Sequence, residues 1–397
     1  MTDLTDPTGY PLAQLKVLDF SRVLAGPFAS RMLAELGADV VKIEPPDGDI
    51  TRLWGRVIAN LPGYYHQQNL GKRNICIDLQ QPAATQLVLE LVKRADVVIE
   101  NFRPDVMGRL GLDYDKLAGA NPRIIMLSVS GFGGGGPESH RPAYAPIVHA
   151  EAGLIARQAK RQGTALHDLP LSVADTNASL HGLVGLLAAV IQREHTGVGQ
   201  HLEVAMIDAT TATDDQLQYD LEDSRDTGPL PNDIWQTGAG AVLVSADFRH
   251  VWRRLVADHG VQDPTSKDML LEEKIRVRRT IVADYMASLN TWSDVEASMG
   301  RMNIAWGRVR DPAQLREQPT LAAHGIIQDV DDRAGGTRPA ARSPYRFSKA
   351  RSGLRGPAPY RGEHNAQVLA DWLGDSGERF QQLSAAGVLL AETEGNS

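Results

Sequence analysis

The chain has 397 residues, 42% hydrophobic and 23% charged, which suits a globular protein of roughly two to three domains. Its formal charge of −8 argues against general nucleic-acid binding, which needs a basic surface, yet leaves room for a few arginines around one anionic ligand. The single cysteine, Cys76, allows no internal disulfide and no cysteine-built metal site, and points to a reducing, cytoplasmic setting.

The opening "MTDLTDPTGYPLAQ" has neither the basic start nor the apolar core of a signal peptide. "LKVLDFSRVLAGPFASRMLAELGADVVKIEPP" then predicts a strand over 16–20, a helix over about 27–36 and a strand over 39–44. That strand–helix–strand order implies a parallel sheet. A helix over 84–94 and a strand over 97–100 repeat the scheme, and "PRIIMLSVSGFGGGG" adds another strand with a glycine turn. The first half reads as a doubly wound α/β sheet. "LSVADTNASLHGLVGLLAAVIQREHTGVGQ" predicts a long helix, apolar on nearly every face and so buried, with His181 as a core histidine. Its longest fully apolar stretch, 182–191, is too short to cross a bilayer. Asp175, followed by Thr176 and Asn177, stands where a helix N-cap is favoured, so local sequence reads it first as a plain cap and only second as a carboxylate for chemistry. "HLEVAMIDA" reads as a strand or as the start of another helix.

"DDQLQYDLEDSRDTGPLPND" is polar and turn-rich, a linker over 214–233. Short strands and amphipathic helices follow, giving a smaller α+β domain over 234–330. "DDRAGGTRPAARSP" reads as a flexible stretch, and "RGEHNAQVLADWLG" as a helix that returns to the large domain, which comprises 1–213 and 331–397.

Gly131, Gly133 and Gly136 fit G-x-G-x-x-G, but Pro137 and a broken polar segment follow where a dinucleotide fingerprint needs a helix. The first βα turn, "SRVLAGP", has one glycine and fails the fingerprint too. Lys72, Arg73, Arg103 and Arg109 follow predicted strands, where parallel sheets hold ligands, and Arg103 is placed to bind a phosphate. The eleven histidines show no tight metal spacing, and there is no G-x-S-x-G elbow.

Several segments together resemble the family III CoA-transferases, the CaiB/BaiF group: "KVLDFSRVLAGPFASRMLAELGADVVKIE", "GKRNICIDL", "ENFRPDVMGRLG", "NPRIIMLSVSGFG", "VADTNASLHGLVGLLAAVIQREHTGVGQ" and "APYRGEHNAQVL". The resemblance covers nearly the whole chain. It implies an interlocked homodimer, a Rossmann-like large domain made from both chain ends, a small domain, and active sites between domains of different subunits. It implies transfer of CoA from an acyl-CoA to a free carboxylic acid, with coenzyme A as cosubstrate and no tightly bound cofactor, metal, nucleic acid or membrane. Asp175 matches the family's nucleophile. Val23, Leu24 and Ala25 match the turn that touches CoA, Leu79 a contact near the adenine, Asn101, Phe102, Arg103 and Arg109 the "ENF" segment and the arginine after it, and Tyr144 an aromatic near the thioester. Gly238 and Gly240 match, at best, the loop that shields intermediates.

An aspartate suits such chemistry because a free carboxylate is already ionised at neutral pH and needs no general base. The chain departs from the family at Pro45, Pro82, Leu24 and Ala145. The absence of glutamine at Leu24 leans the substrate away from oxalate and formate, toward a larger apolar or dicarboxylic acyl group. Three rivals remain: an α-methylacyl-CoA racemase, a non-catalytic acyl-CoA binding protein and a nicotinamide oxidoreductase. The racemase pairs a histidine with the aspartate, but Tyr144 stands at that place and His149 lies five residues on.

Overall fold

A computed structural model describes residues 9–224 and 232–392. Strand β1 (Lys16–Asp19) leads through a tight turn to helix α1 (Ala25–Glu35) and strand β2 (Asp39–Glu44). Helix α2 (Gly63–Asn69) precedes β3 (Arg73–Ile77), α3 (Ala84–Val92), β4 (Val97–Glu100), α4 (Tyr114–Ala120) and β5 (Ile125–Ser130). Helices α5 (Ala145–Glu151), α6 (Leu154–Gln162) and α7 (Val173–Thr196) then lead to β6 (His201–Ala205) and α8 (Met206–Ala212). "HLEVAMIDA" is therefore a strand and a helix start in succession.

These six strands pair in parallel in the order β3-β2-β1-β4-β5-β6, and a short strand, Leu389–Leu390, adds antiparallel to β3. In this order the chain starts mid-sheet, runs to one edge, and restarts beside β1 toward the other. The β1/β4 seam is the switch point, where the loops that follow the two strands part and open a crevice. Both sheet faces are covered, which explains the unbroken apolar strands. Val17, Ile99 and Leu127 pack against α1 and α7, while Leu18, Val98 and Met126 pack against α3. The C-terminal turn Asn365–Val368, prolonged by a wide turn over Leu369–Leu373, sends Val368, Leu369 and Trp372 into this second layer.

Helix α7 buries Ala174, Ala178, Leu183 and Leu186 on one face only. A fully buried leucine contributes about 1.5–3 kcal/mol. The other face is exposed: Leu180, His181, Val184 and Ile191 all point outward. The expectations of an all-buried helix and a core His181 are thus corrected. Among the described residues α7 is the one helix long and apolar enough to span a membrane, but its inner face is packed in the core.

The described chain divides into two units. One holds the residues through Asp214 and from His324, and the other is Asp215–Ala323. Within the expected linker, Leu217–Leu221 forms a helical turn, and 225–231 lie outside the described residues. The second unit pairs β7 (Asn232–Thr237), β8 (Gly240–Ser245) and β9 (Trp306–Arg308) antiparallel. Helices α9 (Phe248–His259), α10 (Leu271–Ser288) and α11 (Trp292–Met302) bury Trp252, Met286 and Met299 against them. The stretch expected to be flexible, 331–344, instead completes a hairpin of β10 (Ile327–Asp331) and β11 (Thr337–Ala341). It is fixed from far away: Gln67 donates to and accepts from the Ala341 backbone, and Arg338 donates to the Leu61 carbonyl at 2.7 Å.

Candidate active site

The crevice at the switch point is walled by a strained turn. Val23 sits at φ +68°, a region that β-branched residues avoid. Lys42 Nζ donates to the Ser21 carbonyl at 2.6 Å, and the Val23 N–H donates to the Asp49 carboxylate at 3.2 Å. Asn101, just past β4, accepts from the Arg22 N–H and donates to the Arg22 carbonyl, both at 2.8 Å. At Gly26 a Cβ would lie 2.1 Å from the Ser21 Cβ, so only glycine fits the start of α1.

Asp175 closes the inner end of the crevice. Ser172 occupies the N-cap of α7, and Asp175 is the third helical residue, so it is not the cap its sequence position suggests. The backbone N–H groups of Ala25, which opens α1, and Ala145, which opens α5, lie near its carboxylate and favour its charged form. Starts of three helices therefore converge on one carboxylate, the favourable end of each helix dipole. Burial outweighs these donors and raises the Asp175 pKa to about 6. The expectation of an ordinary carboxylate pKa is thereby corrected, although the group remains mostly ionised at pH 7. Ser179, one turn along, donates to the carbonyls of Ala25 and Asp175 at 2.5 and 2.7 Å and ties α1 to α7.

A cavity of about 390 Å³ opens on Asp175 and is lined by Val23, Ala25, Asn101, Phe102, Arg103 and Tyr144 among others. A second, of about 400 Å³, is lined by Pro45, Leu79 and Gln80 and shares Arg22, Phe102 and Val106 with the first. The two make a groove with Leu79 at one end and Asp175 at the other. Phe102 stands where they meet. Its N–H donates at 2.8 Å to Glu100, whose buried carboxyl is pushed up to about 7. Arg22 and Arg103 line the groove and form no ion pair among the described residues, so they offer positive charge to an anionic ligand.

Other expected contacts lie elsewhere. Leu24 is buried beneath the turn and lines neither cavity. Arg109 lines neither cavity and pairs with Asp105 at 3.1 Å. Lys72 is fully enclosed, 2.9 Å from Asp19, and Arg73 pairs with Asp39 and Asp371, so neither serves as a surface cation. Gly238 lies in the tight β7–β8 turn and Gly240 opens β8, both in the second unit. A Cβ at Gly238 would meet the Asn290 side chain at 2.6 Å, and one at Gly240 the Trp292 ring at 3.1 Å. Both glycines are thus required by packing within that unit. After Gly136 no helix begins until Ala145, which leaves the glycine run without a phosphate-binding helix.

The structure adds Tyr64, which sequence reading passed over. Burial, Asp175 and Asp49 together push its phenol up to about 12, which places it within the field of Asp175. Only "GYYHQQN" marks it in sequence, and nothing local there signals a site. His149 is buried with both ring nitrogens engaged: Nδ1 with Asp168 at 2.8 Å, and Nε2 accepting the Ala174 N–H at 3.3 Å. It supports the start of α7 and is not free to act as an acid or base opposite Asp175.

A family model described as CoA-transferase family III matches residues 12–365. The chain is 32% identical to a succinate–glutarate CoA-transferase of Agrobacterium fabrum, over 94% of this chain and 98% of that protein. It is 40% identical to an acetyl-CoA:oxalate CoA-transferase of Acetobacter aceti, over 82% and 88%. Among solved structures, a CaiB/BaiF family protein from Brucella suis superposes with a TM-score of 0.78 at 27% identity, covering 92% of this chain and 100% of that one. The D175A mutant of Rv3272 from Mycobacterium tuberculosis gives 0.74 at 30% identity, covering 90% and 98%.

Proposed function

The chain belongs to CoA-transferase family III and is a CoA-transferase, and from that premise we propose that Asp175 carries CoA between acids through covalent intermediates. The observation behind this reading is the buried Asp175 carboxylate at one end of a groove with free arginines along it. An Asp175 oxygen attacks the thioester carbonyl, and the C–S bond breaks to give a mixed anhydride and CoA thiolate. The thiolate attacks the aspartyl carbonyl, forming an aspartyl-CoA thioester and releasing the donor acid. The acceptor carboxylate attacks that thioester, giving a new anhydride and thiolate. The thiolate then takes the acceptor's acyl group and frees Asp175. Atoms and charge balance at each step without an added base. The Ala25 and Ala145 amides, which favour the charged carboxylate, would also stabilise oxyanions forming beside it.

Val23, Ala25, Asn101, Phe102 and Arg103 would line the pantetheine and phosphate path, with Leu79 toward the adenine and Tyr144 beside the thioester. Two of the relatives act on dicarboxylic acids, succinate with glutarate and oxalate. This supports a dicarboxylate substrate here, and the oxalate relative counts against leaning away from oxalate. The exposed apolar stripe of α7, Leu180, Val184 and Ile191, supports burial against a second copy. A reducing, cytoplasmic setting belongs to the same proposal and is supported by the lone, buried Cys76.

The test is a transfer assay. Succinyl-CoA or acetyl-CoA is supplied with oxalate, malonate, succinate or glutarate, and new CoA thioesters are separated and weighed. A product from at least one dicarboxylate is expected. Substrates deuterated beside the carbonyl should keep their label, whereas loss of the label without transfer would indicate the racemase reaction. Thioester binding without transfer to any acid would indicate the non-catalytic reading.

A further inference from the structure

A third cavity, of about 250 Å³, is lined by Arg56, Ile58, Gly63, His66, Gln67, Arg338, Pro339 and Ala340, and shares no lining residue with the groove. From it we infer a second binding site, for a small organic carboxylate, that is separate from the CoA groove. His66 is 2% exposed, lines the cavity, and neither of its ring nitrogens has a hydrogen-bond partner. A buried imidazole without a partner carries a desolvation cost, which a ligand that accepts its N–H removes.

Two arginines share the cavity. Arg338 is 8% exposed, and its guanidinium donates to the carbonyls of Leu61 and Arg56, neither of them a counter-ion. Arg56 is exposed, and no hydrogen bond or ion pair of its side chain occurs among the described residues. The acid whose field reaches Arg338 is Asp332, while Arg338 and Arg333 both act on His66. Arg333 is already paired with Glu363 at 2.8 Å. The lining thus joins positive charge to an unsatisfied imidazole. Guanidinium forks match the planar oxygens of a carboxylate. Ile58, Pro339 and Ala340 supply an apolar wall for a carbon chain, which favours an organic acid over inorganic phosphate.

The inference does not rest on the transferase reading. The site nevertheless sits close to that chemistry, because α2 contributes Gly63, His66 and Gln67 to the cavity and also carries Tyr64, which feels Asp175.

The test uses full-length protein labelled with carbon-13 at the histidine Cε1, the His66 signal being assigned with His66→Gln. Burial and the two arginines hold His66 down at about 4 in the free protein. Millimolar succinate should move the His66 signal and raise its titration midpoint by about one to three units, as a carboxylate at that distance does. Neutral succinamide should do neither. In Arg56→Gln, which removes an exposed side chain with no partner among the described residues, the succinate needed should rise about tenfold or more. A His66 signal that ignores succinate would overturn the site, as would equal responses to succinate and succinamide or in the wild type and Arg56→Gln. If acids are transferred normally while His66 ignores succinate, this inference fails and the transferase reading stands.

Discussion

Asn101 and Arg22, 79 residues apart in the chain, exchange two hydrogen bonds of 2.8 Å through the Asn101 amide and the Arg22 backbone. The end of β4 thereby holds the turn after β1, and with it the strained Val23 at the lip of the groove. The switch point of the sheet becomes a shaped site through this strap rather than through topology alone.

Asn101→Ala removes the strap. The Val23 turn should relax toward ordinary angles and misplace the Ala25 N–H that favours the charged Asp175. An ångström-scale misplacement costs on the order of 100-fold in rate. Steady-state kinetics should show kcat/KM reduced about 10- to 100-fold, with urea unfolding showing a loss of about 1–3 kcal/mol. Unchanged kinetics would mean the turn is held well enough by Asp49 and Lys42.

Gly26→Ala places a methyl 2.1 Å from the Ser21 Cβ. The start of α1 must then shift away from Asp175. Overpacking of this kind costs about 1–3 kcal/mol or more, and activity should fall with stability. Denaturant titration and a transfer assay on the same preparation check both.

Beneath the groove, Lys72 Nζ lies 2.9 Å from Asp19 Oδ2, and both side chains are fully enclosed. Asp19→Asn leaves a buried ammonium without its counter-charge, which should cost about 3–5 kcal/mol. The pH dependence has a definite sign. Burial works to raise the Asp19 pKa, but Lys72, Lys42 and hydroxyls from Ser21 and Ser30 win and hold it at about 2, below its ordinary 3.8. Its contribution is therefore present above about pH 4 and lost as the pH falls toward 2. Acid unfolding of the wild type should be steeper across that window than that of Asp19→Asn.

For Asp175 the sign is opposite. Its folded pKa of about 6 lies above the ordinary 3.8, so ionisation of the folded protein works against stability, fully so only above pH 6. Asp175→Asn should be inactive yet more stable at pH 8, by up to roughly 3 kcal/mol. That gain should fade on acidification from pH 6 toward pH 4. In the wild type, formation of the covalent intermediate should slow as the pH drops through about 6. Melting curves and single-turnover rates against pH test these points.

The βαβ units were legible because they are local: alternating apolar runs and a glycine at the turn, whereas local sequence marked Asp175 as a cap, a place that Ser172 takes. What the sequence concealed depends on partners far along the chain. "DDRAGGTRPAARSP" looks flexible by composition, but β11 is held by Gln67 and Arg338 across more than 270 residues. Lys72 and Arg73 look like ligand cations because charge is visible in sequence and its pairing with Asp19, Asp39 and Asp371 is not. An apolar α7 reads as buried whether its outer face meets its own core or another surface, so the exposed Val184 escaped notice. Tyr64 escaped for the same reason, since only folding brings it near Asp175.

The most direct test of the central claim is mass spectrometry of the peptide bearing Asp175, after incubation with succinyl-CoA or acetyl-CoA and quenching with hydroxylamine or borohydride. The account predicts hydroxamate formation or reduction confined to Asp175 and absent in Asp175→Asn. An unmodified Asp175 in protein that demonstrably binds and consumes the thioester would contradict it.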